Sequence, residues 1–309
     1  MAKYIAKRLL LVIPVIIGIT LFIFLVLALA PGDPAALILG QEATFEELEA
    51  LRAELGLNQN VFVRYIHYMA DVLRGNFGNS WISGKSVMLE FRQRVPNTFL
   101  LALMTMIITA IFGITFGIIA AVRQNKPIDI CLLAFALVFS SIPAFWLAML
   151  MQISFALNLG WFPASGADSI RSFIMPAFTL SACNVAGQIR MTRSSMLDVI
   201  NQDYVRTARA KGANEKRVVL RHVIRNGILP VITNIGITFA SAFGGAIVTE
   251  TVFAIPGIGS YMINAAKTRD VPIVMGVIIF VAIFVAIVNL VVDLIYVFVD
   301  PRVKLGYLS

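Results

Sequence analysis

Residues 203–230 read DYVRTARAKGANEKRVVLRHVIRNGILP, a basic stretch that lies between two strongly apolar segments. We call this stretch the basic loop. Asp203 has the side chain of an N-cap and Gly212 has the conformational freedom of a C-terminal cap, so together they predict a short first helix. Asn214 follows as a second candidate N-cap. The sequence therefore predicts two short helices that meet at a turn near Gly212.

The second predicted helix separates charged from apolar side chains, and Gly227 and Pro230 are expected to close it. Its arginines recur four residues apart: Arg217, Arg221 and Arg225. Its apolar side is formed by Val219, Leu220, Val223 and Ile224. Like charges at this spacing repel by about 0.2–0.5 kcal/mol per pair, so the arrangement favours an anionic surface or an acidic partner. A segment that only fixes membrane topology and touches lipid headgroups is the alternative.

The composition indicates a membrane protein with several spans. Of the 309 residues, 59% are hydrophobic and 14% are charged, and the mean hydropathy is +0.86. A soluble protein has fewer hydrophobic and more charged residues than this, because its core cannot bury so much apolar surface. The formal net charge of +8 is spread over short segments without a groove of aromatic residues, so it indicates anionic lipid and topology instead of nucleic acid.

Six apolar segments are long enough to cross a hydrocarbon core of about 30 Å. They are residues 9–30, 98–122, 131–157, 173–191, 228–251 and 271–299. The first follows Lys3, Lys7 and Arg8 and lacks a small-residue cleavage site, so we expect a retained helix. Most of the 25 lysines and arginines, Arg302 and Lys304 included, fall in segments assigned to the cytoplasm, where both termini are expected.

The spans divide the chain into three predicted parts and make its fold class all-α. Residues 1–30 form the N-terminal tail and the first transmembrane helix. Residues 31–97 form an extracytoplasmic segment with short helices. Residues 98–309 form a five-helix transmembrane core that includes the basic loop, residues 203–230.

The extracytoplasmic segment predicts two helices of its own. Thr44 and Glu47 have the spacing of a capping box, which opens a helix expected to end at Gly56. A second run, residues 60–73, is amphipathic, and its apolar side is formed by Val61, Tyr65, Met69 and Val72. Such a cap either shapes a vestibule or docks an extracytoplasmic partner, and the sequence leaves both readings open.

The chain carries no readable catalytic, metal or nucleotide site. Cys131 and Cys183 are isolated in apolar runs, and His67 and His222 stand far apart, so no disulfide framework or metal-ligand spacing is present. The run from Gly78 to Ser86 imitates a phosphate-binding loop, but it is one residue too long and follows no strand. We therefore expect no cofactor on this chain, and ATP would have to be hydrolysed by another polypeptide.

Several residues within the spans interrupt the apolar pattern. Two stripes of small residues predict close helix packing: Gly113, Gly117 and Ala121, and Gly236, Ala240 and Gly244. Pro143 predicts a kink in the third span. Four polar side chains are candidates for lining a translocation path: Asn184, Gln188, Asn234 and Ser241. Asn289 and Asp293 share a face of the last span, where a structural role is favoured over a proton site.

Motifs along nearly the whole chain resemble one family of transport proteins. YVRTARAKG and RHVIRNGILP in the basic loop resemble the ATPase-docking loop of ABC importer permeases, with Arg206-Thr207-Ala208 where the name-giving Glu-Ala-Ala stands. Further motifs resemble the dipeptide, oligopeptide and nickel branch of that family: LAPGDP at 29–34, WFPASG at 161–166, TETVFAIPGIG at 249–259, RDVPIV from Arg269 and NLVVDLIYVFVDPRV from Asn289.

The resemblance implies a type I ABC importer permease with six transmembrane helices in the inner membrane. The implied partners are a second, similar permease subunit, two cytoplasmic ABC ATPases that bind ATP and magnesium, and an extracytoplasmic substrate-binding protein, besides membrane lipid. The resemblance also implies that the turn at Gly212 sits in a cleft of an ATPase. The implied docking residues are Arg206, Thr207, Ala208, Arg209, Ala210, Lys211, Gly212, Ala213, Arg217 and Arg221.

The resemblance further implies short peptides as substrates, with nickel, glutathione and some oligosaccharides as alternatives. Few charged residues occur in the spans, and a wide, weakly selective path fits peptides better than a metal site. A secondary transporter is the alternative class. Such a protein would need paired intramembrane charges or an inverted repeat, and neither is found in the sequence. A membrane-embedded enzyme would need a nucleophile and base, or a metal site, in one bundle.

Overall fold

A computed structural model describes residues 2–30, 32–40 and 42–299, and within these ranges the chain is helical apart from its connections. The β structure in these ranges is an isolated bridge between Asn79 and Ser86. The all-α prediction is confirmed. Arg302 and Lys304, which contribute to the predicted topology, lie outside the described residues.

The helices follow in this order. The N-terminal part comprises α1 (Ala2–Leu29), α2 (Pro34–Leu39), α3 (Phe45–Glu54), α4 (Val61–Leu73) and α5 (Val87–Val122). The middle part comprises α6 (Pro127–Ser141), α7 (Ala144–Met151) with a π-helical continuation (Gln152–Asn158), a 3₁₀ turn (Ile170–Phe173) and α8 (Ile174–Ile200). The C-terminal part comprises α9 (Asp203–Ala210), α10 (Glu215–Val218), a π-helical segment (Val219–Val223), α11 (Ile224–Gly245), α12 (Ile247–Val252), α13 (Ile258–Thr268) and α14 (Val271–Val299).

Four of the six predicted spans coincide with helices that are long and apolar enough to cross a membrane, and a fifth does so if a bent pair of helices is one span. In the described part of the chain, four are single stretches: Leu10–Leu29, Val87–Val122, Glu215–Gly245 and Val271–Ile295. The fifth is the pair of α6 and α7 with its continuation, bent by 95°. The remaining predicted span, 173–191, lies in α8, where Asn184, Gln188 and Arg190 lower the hydropathy. The count of six stays a prediction.

Internal contacts divide the chain into two compact units. Unit 1 comprises residues 1–98 and 256–286, and unit 2 comprises residues 99–255 and 287–309. Helix α5 begins at Val87, so the last residues of the predicted extracytoplasmic segment are already its first turns, with Pro96 inside the helix. The three-part division drawn from the sequence stays a prediction.

Local capping contacts begin α3 and α4 in unit 1, and the capping box of α3 was predicted. The Glu47 carboxylate accepts the Thr44 amide at 2.9 Å, and Thr44 Oγ1 accepts the Glu47 amide. The Thr44 hydroxyl also donates to this carboxylate at 2.9 Å, and the hydrogen bonds donated by the Thr44 amide and hydroxyl hold the pKa of the Glu47 carboxyl below its ordinary value. The connection after α3 turns at Gly56, whose φ is +67°, and Asn60 caps α4 by accepting the Phe62 amide at 2.9 Å.

Glycines allow α5 and α8 of unit 2 to approach each other closely. A Cβ added at Gly113 would lie 2.3 Å from Cγ of Gln188, and one at Gly117 would lie 2.4 Å from Cβ of Thr192. Real side chains do not tolerate such distances, so both positions require glycine. The packing role predicted for this small-residue stripe is confirmed.

The third predicted span is broken at Pro143. Helix α6 ends at Ser141 and α7 begins after the proline, with 95° between them. The hydroxyls of Ser140 and Ser141 both donate to the Leu137 carbonyl, at 3.0 and 2.8 Å. The predicted kink is confirmed, and it is a complete break of the helix.

A buried ion pair joins the start of α6 to α8. Arg193 Nε and Nη2 donate to the two carboxylate oxygens of Asp129, each at 2.8 Å. Asp129 also accepts the Asn125 amide at 3.0 Å, and its side chain is 2% exposed. Arg193 stands ten residues before the basic loop, so this pair fixes the part of α8 that leads into it.

Candidate functional site

The turn of the basic loop is built around Gly212, as predicted. Helix α9 ends with two characteristic bonds, because the Gly212 amide donates to the Arg209 carbonyl at 2.9 Å and the Ala213 amide donates to the Ala208 carbonyl at 3.2 Å. This is a Schellman arrangement, which places the residue after the C-cap in the left-handed region. Gly212 has a φ of +81°, with no other atom within 4 Å of a Cβ built there.

Two side-chain contacts stiffen the far side of this turn. Asn214 Oδ1 accepts the Arg217 amide at 2.8 Å, which confirms Asn214 as the second N-cap. Arg209 reaches across from α9 and binds the Glu215 carboxylate at 2.7 Å. The first N-cap prediction is off by one residue, because Gln202 holds that position and Asp203 is the first residue of α9.

The predicted apolar side of the second helix is partly wrong. Val218 and Val223 are the fully buried residues, whereas Leu220 is 57% exposed. The cause is the π-helical segment over 219–223, in which the pattern repeats after five residues instead of four. The three predicted arginines, Arg217, Arg221 and Arg225, are all exposed.

The predicted closure of this helix at Gly227 and Pro230 is also wrong, because both residues lie inside α11. Gly227 serves helix packing instead. A Cβ there would meet Met196 Sδ and the Ser195 carbonyl oxygen at 3.1 Å, and Ser195 Oγ donates to the Gly227 carbonyl at 2.6 Å. Helix α11 therefore runs without interruption from the basic loop towards the membrane.

Buried valines attach the basic loop to the helices of unit 2. Val205 of α9 joins Val218 and Val223 in a core that also contains Met196 of α8 and Val231 of α11. At roughly 1.5–3 kcal/mol for each fully buried apolar side chain, this core outweighs the exposed ion pairs of the loop. A force on the turn is therefore transmitted to α8 and α11.

The structure brings the predicted docking residues together on the outside of this core. Exposed side chains are Arg206, Thr207, Arg209, Ala210, Lys211, Gly212, Arg217 and Arg221, while Ala208 and Ala213 are half-buried. Tyr204 and Leu220 of the same loop are 45% and 57% exposed, whereas the sequence pattern predicts an apolar, inward side for Leu220 and gives no role to Tyr204. A large apolar side chain beside arginines is the signal that could have identified them.

Two of the four candidates for lining a path bind each other between helices. Asn234 Nδ2 of α11 donates to Gln188 Oε1 of α8 at 2.7 Å, and Gln188 is fully buried. Gln188 is therefore an interhelical contact in this conformation and does not reach an open surface. Asn184 is half-buried and donates to the Leu180 carbonyl at 2.9 Å, and Ser241 is exposed, so their lining role stays a prediction.

The two polar residues predicted to share a face of the last span differ in their exposure. Asn289 is exposed and Asp293 is half-buried. Asp293 is not without an interaction partner. This placement agrees with the structural role favoured from the sequence, which stays a prediction.

Comparison with known families gives a match over most of the chain. Residues 113–305 match the family described as "Binding-protein-dependent transport system inner membrane component", and residues 1–102 match its N-terminal region. The probable peptide ABC transporter permease protein y4tP of Sinorhizobium fredii is 41% identical over 98% of this chain and 100% of its own length.

Two further relatives are similar over comparable lengths. The oligopeptide transport system permease protein AppB of Bacillus subtilis is 38% identical over 98% of this chain and 100% of its own. The glutathione transport system permease protein GsiC of Escherichia coli is 40% identical over 98% and 99%.

Among solved structures, the fold is similar to that of a chain of the MetNI methionine ABC transporter in an inward-facing conformation. The TM-score is 0.57 at 18% identity, over 69% of this chain and 97% of that one. The likeness extends the sequence match to the fold. The chain therefore belongs to the family of binding-protein-dependent transport system inner membrane components, and it is a multi-pass permease subunit of an ABC transporter.

Proposed function

We propose that this chain forms half of the translocation path of an ATP-driven importer for short peptides. The substrate class is supported by the peptide and oligopeptide permeases that are 41% and 38% identical to it. The other half of the path is a second, similar permease subunit, and an extracytoplasmic binding protein delivers the peptide. The polar groups exposed in the spans are few, which suits a path that accepts varied side chains.

In this proposal the basic loop docks in a cleft of one of two cytoplasmic ATPases. The observation that carries the assignment is the stiffness of the loop: a Schellman turn at Gly212, the Arg209–Glu215 ion pair and a core of buried valines. Nucleotide-driven closure can shift a transporter between two states only if the closed ATPases prefer one loop position. A stiff loop converts that preference into movement of α8 and α11.

ATP and magnesium bind to the partner ATPases in this proposal, and this chain is not an enzyme. Within the near-match to a phosphate loop, backbone groups are already used internally. The Ser80 amide donates to the Lys85 carbonyl, and the Val87 amide donates to the Gly78 carbonyl. The basic loop and both termini lie in the cytoplasm, which follows from the distribution of lysine and arginine.

Glutathione is a second candidate within the same substrate class. It is itself a short peptide, and permeases for it are 40% identical to this chain over almost their full length. The binding protein selects the substrate first, so calorimetry on the cognate binding protein distinguishes the two candidates by their affinities. Tighter binding of a dipeptide or oligopeptide than of glutathione supports the first proposal. Nickel is tested in the same titration.

The docking assignment is tested by Gly212→Asp in the co-expressed complex. A non-glycine residue at a φ of +81° is strained, and the added carboxylate repels an acidic cleft, so we expect loss of transport and of transport-coupled ATP hydrolysis. Gly75→Asp is the matched control, since Gly75 has a φ of +83° and open space but lies in the outer segment. Both variants should insert in the membrane in similar amounts.

The readouts are co-purification of the ATPases and uptake of a labelled peptide. Normal uptake by Gly212→Asp would refute the docking assignment. Uptake that follows an ion gradient in the absence of ATP would instead favour a secondary transporter. Recovery of the ATPases with wild type and Gly75→Asp, but not with Gly212→Asp, is the expected result.

A further inference from the structure

Helix α4 packs beside the C-terminal half of α1, at a depth set by specific contacts. The Tyr65 hydroxyl donates to the Ile17 carbonyl at 3.2 Å and lies 2.9 Å from Thr20 Oγ1, and its ring meets that of Phe24 at 5.6 Å. The candidate span in α1 ends at Leu29. At 1.5 Å per residue, Phe24 lies about 7–8 Å and Thr20 about 13–14 Å below that end. The Phe24 contact lies at the depth of about 5–10 Å to which an interfacial helix buries its apolar side, and the Tyr65 side chain reaches deeper, to Thr20 and Ile17.

The exposed side of α4 carries large apolar residues, as expected for a helix that lies in the membrane interface. Phe62, Ile66 and Leu73 are 57%, 63% and 85% exposed. Their spacing of four and seven residues places them on one side of the helix. Because successive residues lie about 100° apart, this side adjoins the one on which Tyr65 reaches towards the deeper residues of α1. The apolar side therefore points into the membrane.

The opposite edge of α4 carries Arg64, which lines a cavity of about 400 Å³ walled in part by the last turns of α1. The Arg64 guanidinium is half-buried and lies 5.6 Å from the centre of the Phe24 ring. Within the described ranges, no carboxylate lies in ion-pair distance of it. Burial lowers the pKa of Arg64, but a guanidinium remains protonated. In contrast, Arg52 in the same cavity binds Asp33 at 2.7 Å.

We propose that α4 lies in the membrane interface and that Arg64 binds the phosphate of a phospholipid in this cavity. The acyl chains of that lipid lie along α1, and other lipids contact Phe62 and Ile66 on the opposite side of α4. The leaflet is the outer one in the orientation proposed for the importer. The extracytoplasmic segment is thus held to the lipid surface through α4, in addition to its contacts with α1.

A lipid phosphate fits this cavity better than a soluble carboxylate. The cavity opens where a candidate span of mean hydropathy 3.2 ends, and only 11% of that span is buried within the chain, so lipid surrounds it. Phosphates are concentrated at that depth, whereas a soluble anion would have to pass through the headgroup layer. The guanidinium fork also matches phosphate oxygens through paired, charge-assisted hydrogen bonds.

The depth of α4 is tested by spin labelling of the complex in vesicles of phosphatidylethanolamine and phosphatidylglycerol. Ile66→Cys and His67→Cys carry the label, in a background of Cys131→Ser and Cys183→Ala. We expect the label at Ile66 to collide mainly with oxygen and the label at His67 to collide mainly with a water-soluble nickel chelate. Equal access of the nickel chelate to both labels would place α4 in water and overturn the proposal.

The phosphate site is tested by native mass spectrometry of the same complex. Arg64→Gln should weaken retention of a bound phospholipid about tenfold or more, since a charge-assisted pair is lost. Arg74→Gln is the matched control, because Arg74 is on the same helix with its side chain 80% exposed. Equal retention by the two variants would overturn the phosphate assignment, and a soluble anion would then be the better candidate. Peptide uptake is not a readout, so failure of the transport proposal does not affect the result.

Discussion

Gly113 illustrates how single residues fix the spacing of helices in this chain. The atom nearest to a Cβ built there would be Cγ of Gln188 at 2.3 Å, with Gln188 Cβ at 2.6 Å. Gln188 cannot move aside freely, because its carbonyl oxygen accepts a hydrogen bond from Asn234. One methyl group at Gly113 therefore disturbs three helices.

We expect Gly113→Ala to destabilise the folded chain by about 1–3 kcal/mol, the usual effect of an overpacked core. Gly187→Ala is the control, because Gly187 is also helical and has no atom within 4 Å of a built Cβ. There the higher helix propensity of alanine should leave stability unchanged or improve it by up to about 1 kcal/mol. Thermal unfolding in detergent measures both, and an equal midpoint for the two variants would contradict the packing argument.

The sequence identified individual residues where the signal is local. The spacing of Gly113 and Gly117 predicted a close approach, but it did not name Gln188 and Thr192 as the neighbours. Gln188 was assigned to a path because a polar residue in a span is costly. Its partner Asn234 is 46 residues away, and a pairing over that distance is not readable from one sequence.

At the scale of elements, the Asp129–Arg193 pair joins α6 to α8. We expect Asp129→Asn to destabilise the chain by about 1–3 kcal/mol, because the partly buried Arg193 guanidinium loses its carboxylate. Replacing both residues, as Asp129→Asn with Arg193→Met, should recover much of the loss. A double-mutant cycle on the unfolding midpoint measures the coupling.

The exposed pair of Asp203 and Arg206 is the natural control for that cycle. Its atoms lie 3.9 Å apart and both side chains are mostly exposed, so Asp203→Asn should change stability by less than about 0.5 kcal/mol. A similar loss from both single variants would mean that burial of the Asp129 pair has no energetic consequence.

Elements that depend on contacts between residues close in the sequence are easier to predict than elements that depend on contacts between distant residues. The capping box at Thr44 and the cap at Asn214 depend on residues three positions away, and both predictions are confirmed. The π-helical segment at 219–223 depends on which valines the rest of unit 2 can bury. Pro143 predicts a kink, whereas the angle of 95° between α6 and α7 depends on the packing of α7.

At the scale of the whole molecule, the proposed topology places the basic loop and the outer segment on opposite sides of the membrane. We expect Lys216→Cys, in the cysteine-free background, to react with an impermeant maleimide only after the cytoplasmic side is exposed. Glu54→Cys should react from the other side. Both positions are exposed. Labelling of both from the same side would contradict the six-span topology.

Four spans could be predicted from the sequence and coincide with single apolar helices, because apolar runs of this length occur mainly in transmembrane helices. The extent of α8 could not, because it continues to Ile200, well beyond the predicted end at residue 191. Several of its polar side chains, such as Gln188 and Thr192, are buried against other helices, so their cost in hydrocarbon is offset by contacts that appear only in three dimensions.

The close glycine contacts also limit which internal motions are available to unit 2. No methyl group fits between Gly113 and Gln188 or between Gly236 and Val292, where a built Cβ would lie 2.1 Å from Cγ2. Neighbouring helices interlocked in this way cannot slide along each other by a turn without first separating. We therefore expect the parts of α5, α8, α11 and α14 around these contacts to move as one rigid body.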